Sequence, residues 1–411
     1  MKLDKLLSDI EFYTDYDIKE FKDIEIENIY YDSRLASKDS LFIAIKGEAV
    51  DGHKYIKDAY NNGCRIFIVE NDDLNTPKDC VVITTKNSRK TLSAISARFF
   101  DYPSEDITTI GITGTKGKTS VANLIKSVIE SAGLACGVIG TNGISYKETR
   151  IKTINTTPES YEIQKHLKAM VDQGVQYVAI EVSSGGLKMN RADDIFFDLA
   201  IFTNISEDHI GPTEHKDFNE YISCKRKLFT QSKKSIINVD DEKSDLFIKS
   251  SINSPITYSI FKDSMYKAAN INYHNDLTNL GSSFESLYNG EKKLFEIYMP
   301  GDFSIYNALS VIAASDYLKL DYRAVKKGFN KARVKGRSEI IETNRDFTVI
   351  IDYAHNGVSL KNILTSLRKY NPNRIITVVG SVGGRTYGRR KELGDVSFKY
   401  SDITILTSDN P

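Results

Sequence analysis

The sequence predicts an α/β protein of more than one domain, with a doubly wound sheet at its centre. Three observations carry that reading. At 411 residues the chain exceeds one ordinary core, which gives two or three domains. Residues 107–140 read as strand, glycine turn, helix and strand, with the crossover length of a parallel sheet. Apolar runs without alternation recur at 175–182, 198–203 and 234–238, the pattern of strands covered on both faces.

In chain order, residues 1–7 open as an amphipathic helix. Residues 26–31 and 41–45 are short apolar strands, 55–62 is a helix closed by Gly63, and 65–70 and 81–85 are strands again. Residues 87–100 form a helix with an asparagine start and Pro103 just beyond its end. A first domain is therefore expected at 1–103. The second, 104–320, holds strand 107–113, helix 118–131 stopped by Gly133, strand 135–140 and the buried runs above. The third, 321–411, reads strand 348–352, helix 359–369, strand 374–380, helix 389–397 and strand 402–407. A doubly wound domain ordinarily continues with more helices and strands over its sheet, so the third is expected to be truncated.

Composition excludes several classes. Forty per cent apolar and 27% charged residues describe a soluble globular chain. The 55 basic and 55 acidic residues cancel, leaving no global field for nucleic acid or an anionic membrane. No apolar run reaches the ~20 residues of a membrane span, and the start lacks the apolar centre of a signal peptide. Cys64, Cys80, Cys136 and Cys224 are scattered, which supports neither a metal cluster nor a disulfide framework. A reducing cytoplasm and a monomer are the expectation.

The most informative segment is Gly111-Ile-Thr-Gly-Thr-Lys-Gly-Lys-Thr-Ser120. Small residues at Gly114, Thr115 and Gly117, with Lys116 between them, let backbone N–H groups approach phosphate oxygens. The following helix, starting at Lys118, Thr119 and Ser120, offers its positive end. Lys118 can reach the β- and γ-phosphates of a nucleotide, and Thr119 can ligate Mg²⁺. The strict phosphate-loop string is not met, because position 112 is isoleucine; the alternative reading is a glycine-rich turn with a surface lysine.

Three later segments add chemistry. Glu181 ends a buried strand, where a carboxylate faces the ligand crevice of a parallel sheet. His209 follows the strand 198–203 at the same edge, and Lys225 sits on a cationic helix around 221–229. Each has a plainer reading: a salt-bridged strand end, a capping histidine, a solvated helix face.

Taken together, these segments resemble the Mur ligase family. The matching motifs, in that family's order, are Thr113 to Thr119, Glu181-Val-Ser-Ser184, Asn204 to Asp208-His209, Tyr221 to Lys225 and Phe229, Gly301 to Asn307, Gly336-Arg337-Ser-Glu339, Asp352-Tyr-Ala-His355 and Thr407 to Pro411. The N-terminal Tyr31-Asp-Ser33-Arg34, Asp39 to Gly47, Asp51-Gly52-His53, and then Asn155-Thr-Thr157, are most similar to the subgroup that adds the third stem-peptide residue to the UDP-linked cell-wall precursor.

The resemblance implies three domains: an N-terminal α/β UDP-precursor domain, a central ATP-binding domain with a phosphate loop, and a Rossmann-like domain on the amino-acid side. It implies ATP and two Mg²⁺ sites. Thr119 would ligate one ion. Glu181, His209 and a carbamylated Lys225 would ligate or support the other. Lys118, Lys225 and His209 would be the catalytic groups, and Asn307, Arg337 and Asp352 would contact adenine, phosphate and ribose. Ser33, Asp51, Gly52, His53, Asn155, Thr156, Thr157, Ser183, Ser184 and Arg191 would contact the precursor, a UDP-linked muramoyl dipeptide, and Arg390 the free amino acid. The chain departs from the family at Ser184-Gly185-Gly186, at Tyr353-Ala-His-Asn356-Gly357, at Gly383-Gly-Arg385-Thr386 and at Ile210 to His215. These changes bear on the peptide substrate and the third residue, not on nucleotide chemistry.

The implied reaction is elementary. A carboxylate is a poor electrophile; phosphorylation makes an acyl phosphate, which an amine attacks. The protein supplies alignment and charge neutralisation. Mg²⁺ prefers oxygen, so a carbamate on Lys225 suits it better than an imidazole. The competing readings are a divergent Mur-type ligase with another acceptor, a ligase of the folylpolyglutamate type, and a nucleotide-binding scaffold without turnover. Residues 32–34 and 51–53 argue against the second, which lacks a UDP-holding domain.

Overall fold

A computed structural model describes residues 1–47, 50–70, 77, 79–211, 214–275, 280–341, 343, 345–381 and 387–408. The expectations placed on 212–213, 383–386 and 409–411 lie outside the described residues.

The first layer is a five-stranded sheet in the order Phe12–Tyr13, Val81–Thr85, Ile66–Val69, Ser40–Ile43, Asn28–Tyr30. Phe12–Tyr13 is antiparallel to its neighbour and the other pairings are parallel. Alternate residues serve opposite faces, as the strand period of two requires. Leu41 and Ile43 join Leu92 and Ile95 of the helix Ser88–Phe99, while Phe42 and Ala44 join Ile56 and Ala59 of the helix Ile56–Asn61. Asn87 caps the longer helix by accepting from Lys90 N–H at 2.9 Å, as its sequence position predicts.

The central sheet has nine strands. Seven are parallel, in the order Tyr266–Lys267, Ile256–Ser259, Ser232–Asn238, Phe197–Phe202, Thr108–Thr113, Tyr177–Glu181, Cys136–Gly140. An antiparallel hairpin, Gly143–Tyr146 and Thr149–Ile151, extends one edge. Helices cover both faces. Val121, Leu124 and Ile125 of Lys118–Ser131 pack with Ile305 and Leu309 of Asp302–Tyr317 on one face. Ile163 and Leu167 of Ser160–Asp172 and Ile222 and Leu228 of Phe218–Thr230 pack on the other. The strand Thr108–Thr113 has strands of opposite winding on its two sides, so the glycine turn that follows it lies at the switch point where such sheets bind ligands.

Three features differ from the sequence reading. An antiparallel sheet of Ala269–His274, Gly281–Tyr288 and Glu291–Ile297 was not anticipated. Its buried positions include Ser282, Ser283 and Ser286, so no apolar alternation marks it. The helix Asp302–Tyr317 is apolar nearly all round, because it lies between the central sheet and this smaller one. The helix Tyr322–Lys331, assigned by sequence to the third domain, belongs to the central core, where Val325 and Phe329 are buried with Val128.

The last part pairs Glu339–Ile341 with Val349–Ile351 and, in parallel, Ile376–Val379 with Ile403–Leu406. The helices Gly357–Arg368 and Tyr387–Tyr400 pack through Leu360, Ile363, Leu364 and Leu393. A parallel pair with a helical crossover is the unit of a Rossmann-like sheet.

Candidate active site

The turn after Thr108–Thr113 is shaped by contacts only glycine permits. Gly114 has φ +150°, and a Cβ there would stand 1.9 Å from Thr203 Oγ1. Gly117, at φ +91°, would place one 2.7 Å from Asn307 Oδ1. The Asn204 carbonyl and side-chain oxygens accept from Thr115 and Lys116 N–H at 2.9 and 3.0 Å, fixing the loop against the next strand's end. The first bond of the helix is Val121 N–H to Gly117 O, 2.9 Å, so the amides before it have no partner inside the helix. The result is an amide-lined concavity at a helix N-terminus, a form suited to phosphate.

Lys118 folds back over this concavity, donating to Gly114 O at 2.8 Å and Thr115 O at 3.2 Å. Burial, with Lys116 and Arg337 nearby, pushes its ammonium down to about 8, against the opposing pull of Glu181. Thr119 Oγ1 donates to Glu181 Oε2 at 2.8 Å. Glu181 also accepts from Thr141 N–H at 3.0 Å and Thr141 Oγ1 at 3.1 Å, and it is 1% exposed. Thr141 follows the strand Cys136–Gly140, so the sheet-edge rule that selected Glu181 would have found it too.

Lys118, Thr119 and Glu181 line one cavity of about 550 Å³, together with Glu207, Asp208, Arg337 and Arg389. Lys116, Ser120, Thr156 and His209 are on its wall as well, as are Tyr353 and His355 of the last part. Asp208 is held ionised, its burial outweighed by Lys116 at 3.4 Å and the neighbouring His209.

Lys225 lies behind the turn rather than on the cavity wall. It is 1% exposed, donates to Gly114 O at 2.9 Å and stands 4.6 Å over the ring of Tyr221. Two ammonium groups thus share one carbonyl oxygen. Burial, then Lys118, drives Lys225 well below the normal lysine range.

The remaining expected residues fall into separate places. Asn307 is buried beside Gly117. Arg337 lies with its guanidinium 4.6 Å over Tyr353, while the exposed Asp352 accepts from Ser338 N–H and Ala354 N–H at 2.8 Å each. His209 has φ +55°, and its Nδ1 pairs with Glu214 at 2.8 Å. Among the described residues no three His, Cys, Asp or Glu groups converge on one point. Thr156 meets Thr141, and Thr157 Oγ1 donates to Glu181 O at 2.8 Å and meets Ser183 Oγ at 3.0 Å. Ser183 caps the helix Ser184–Lys188, Arg191 pairs with Glu159, and Asn155 is exposed. In the first layer, Asp51 caps Gly52–Tyr55 and holds His53 Nδ1 at 2.6 Å, and Ser33 O accepts from Asn62. Arg390 is exposed; its neighbour Arg389 is the one that lines the cavity.

Comparison with known proteins identifies this arrangement. Residues 25–100 match the Mur ligase family catalytic domain, 112–315 the Mur ligase middle domain, and 336–411 the Mur ligase glutamate ligase domain. The chain is 39% identical over 416 residues to UDP-N-acetylmuramoyl-L-alanyl-D-glutamate–2,6-diaminopimelate ligase of Clostridium botulinum, covering 100% of this chain and 84% of that one. The chain belongs to the Mur ligase family.

As a Mur ligase it is an ATP-dependent acid–amino-acid ligase. A second relative of the same name, from Caldanaerobacter subterraneus, is 39% identical over 412 residues and is covered to 83%. A solved structure of a 2,6-diaminopimelate ligase superposes with a TM-score of 0.78 at 25% identity, over 100% of this chain and 83% of that one. The folylpolyglutamate synthase of Mycobacterium tuberculosis, solved with ADP, shares the fold at 18% identity, TM-score 0.64 and 78% of each chain. No helix among the described residues is long and apolar enough to cross a membrane.

Proposed function

We propose that the chain joins an amino acid to UDP-N-acetylmuramoyl-L-alanyl-D-glutamate, using ATP and passing through an acyl phosphate, in peptidoglycan precursor synthesis. The convergence of Lys118, Thr119 and Glu181 on one cavity at the sheet's switch point supports this most. Residues 1–103 would hold the UDP end, through Ser33, Asp51, Gly52 and His53. Asn155, Thr156, Thr157, Ser183, Ser184 and Arg191 would hold the peptide end. The last part would bring the amino acid to Arg390 and Arg389. The reading includes a cytoplasmic, monomeric enzyme.

The turn fits a triphosphate: backbone amides, a helix N-terminus and the Lys118 ammonium meet where the glycines remove steric bulk. Asn307 and Arg337 flank it, and Asp352 would be available to ribose once released from Ser338. Thr119, Glu181 and Asp208 are oxygen donors of the kind Mg²⁺ prefers. Bound there, Mg²⁺ would supply charge neutralisation for the triphosphate and orientation for the substrate carboxylate. A second Mg²⁺ site needs a further anionic oxygen, which a carbamate on Lys225 would add by reaching past Gly114 O into the cavity, with His209 in support once it leaves Glu214. The depressed lysine favours that modification: the neutral amine attacks CO₂, forming N–C and releasing one proton.

The chain's own residues then have defined work. Lys118 and Arg337 neutralise the phosphoryl group as it moves to the carboxylate. The amine attacks the acyl carbon, and phosphate leaves with its electron pair. Closure of the last part over the cavity would exclude water, which otherwise hydrolyses the acyl phosphate.

The test is phosphate release and product mass from protein, ATP, Mg²⁺ and the UDP-muramoyl dipeptide, with 2,6-diaminopimelate as the first amine, because the curated relatives carry that name. Lysine and neutral amino acids complete the panel. No phosphate release with any member would reject the proposal. Thermal stabilisation by UDP rather than folate separates it from the folyl-type reading.

A pH effect follows from Lys118. Its ammonium is held at about 8 in the free protein, and a bound triphosphate favours the charged form. The complex therefore binds more protons than the free protein near that pH. Nucleotide affinity is expected to fall as pH rises above about 8, and binding at pH 8 should take up about half a proton. Calorimetry in buffers of different ionisation enthalpy reads this directly; proton release, or no transfer, contradicts it.

A further inference from the structure

Between the first layer and the central sheet lies a polar chain in which Arg89 and Glu159 have no part in the proposed reaction. Arg89, on the helix Ser88–Phe99, donates from Nε to Lys46 O at 2.8 Å and from Nη1 to Glu159 Oε2 at 3.0 Å. The other oxygen of Glu159 takes Arg191, with Nη2 at 2.8 Å and Nε at 3.0 Å. Arg191 Nη1 donates onward to Thr157 O at 3.1 Å, and Thr157 Oγ1 donates to Glu181 O at 2.8 Å. The three charged side chains are only 11–15% exposed.

One carboxylate therefore spans two guanidiniums that come from different layers. Next to Lys46 O, Gly47 N–H donates to Val50 O, and Gly52 N–H donates to Ile45 O. The other end of the chain is the backbone of the residue that steadies Glu181. An exposed ion pair would contribute little, but these bonds are shielded, charge-assisted and nearly continuous. Removing the central acid would leave two largely buried like charges facing each other, which favours separation of the layers.

We propose that Glu159 is a positioning residue that fixes residues 46, 47 and 50–52 relative to the Thr157–Glu181 edge, and so sets the distance between the UDP end and the reacting end of the substrate. Neither Glu159 nor Arg89 need touch the substrate for this. The inference rests on the substrate reading above for its kinetic consequence, though not for its structural one.

The experiment compares Glu159→Gln, Glu159→Asp and Arg89→Gln with the wild-type chain in two measurements. Hydrogen exchange of the Gly47 and Gly52 amides is expected to speed up at least about tenfold in Glu159→Gln and Arg89→Gln, with Glu159→Asp partly restoring protection. In steady-state assays the KM for the UDP-linked precursor should rise about tenfold, with kcat and the KM for ATP within about threefold of wild type. The double variant Glu159→Gln with Arg89→Gln should show less than the sum of the two effects. Unchanged exchange at these amides, or an unchanged precursor KM, overturns the proposal. Parallel losses in kcat and both KM values overturn it as well, because they report a merely structural role. A wild-type chain that does not use the precursor rejects the substrate reading instead, and the exchange measurement still decides the bridge.

Discussion

Lys118→Ala is expected to lower kcat/KM by about 10³-fold while leaving the fold intact. The residue sits at the first turn of the helix Lys118–Ser131 with its ammonium over the amide-lined concavity, and alanine is a better helix former than lysine. In the free protein its hydrogen bonds go to two carbonyls of its own loop, at 2.8 and 3.2 Å. A triphosphate would replace these neutral acceptors with anionic ones, so most of the side chain's interaction energy appears only with nucleotide bound. Removing an enclosed ammonium that costs desolvation should hold or raise the melting temperature in the absence of ATP. Thermal melts with and without ADP, beside steady-state kinetics, check both halves. Turnover within tenfold of wild type would contradict the role.

Lys225→Ala is expected to cost about 10²- to 10³-fold in turnover. Added short-chain carboxylic acid should restore part of it. Lys225 is enclosed by Tyr221 and the glycine turn, and shares Gly114 O with a second ammonium. Such a group is costly as a cation, and burial drives it towards the neutral amine that captures CO₂. The carbamate would place a negative charge beside Lys118, where a second ammonium would be repelled. A small carboxylate diffusing into the space left by alanine supplies the same charge. Depleting CO₂ should lower wild-type activity and leave the variant unaffected. Unchanged activity of Lys225→Ala, or no response to carboxylate, refutes the carbamate.

Much of this site was legible before the fold was known, for local reasons. The turn 114–120 is specified by glycines whose replacement would strike Thr203 and Asn307, so the sequence can hardly vary there without losing the cradle. Glu181 is legible because a carboxylate ending a buried parallel strand has few places to go. What sequence could not show is competition for the same side chains. The sequence expects His209 at this sheet edge, yet Glu214, five residues on, takes its Nδ1. The motif matches Asp352, yet Ser338 and Ala354 already occupy its two carboxylate oxygens. The antiparallel sheet 269–297 escaped because buried serines break its pattern, and the helix Asp302–Tyr317 because a helix packed on opposite sides shows no stripe. The bridge through Glu159 escaped for the same reason: its partners stand 70 and 32 residues away.

In the proposed reaction this cavity phosphorylates a carboxylate before the amine attacks. The most direct measurement starts from UDP-muramoyl dipeptide carrying ¹⁸O in the reacting carboxylate, turned over with ATP, Mg²⁺ and 2,6-diaminopimelate. The released phosphate is then weighed. With both carboxylate oxygens labelled, one labelled oxygen is expected in each phosphate, because the acyl phosphate breaks at its acyl carbon. Ligated product accompanied by unlabelled phosphate would contradict it.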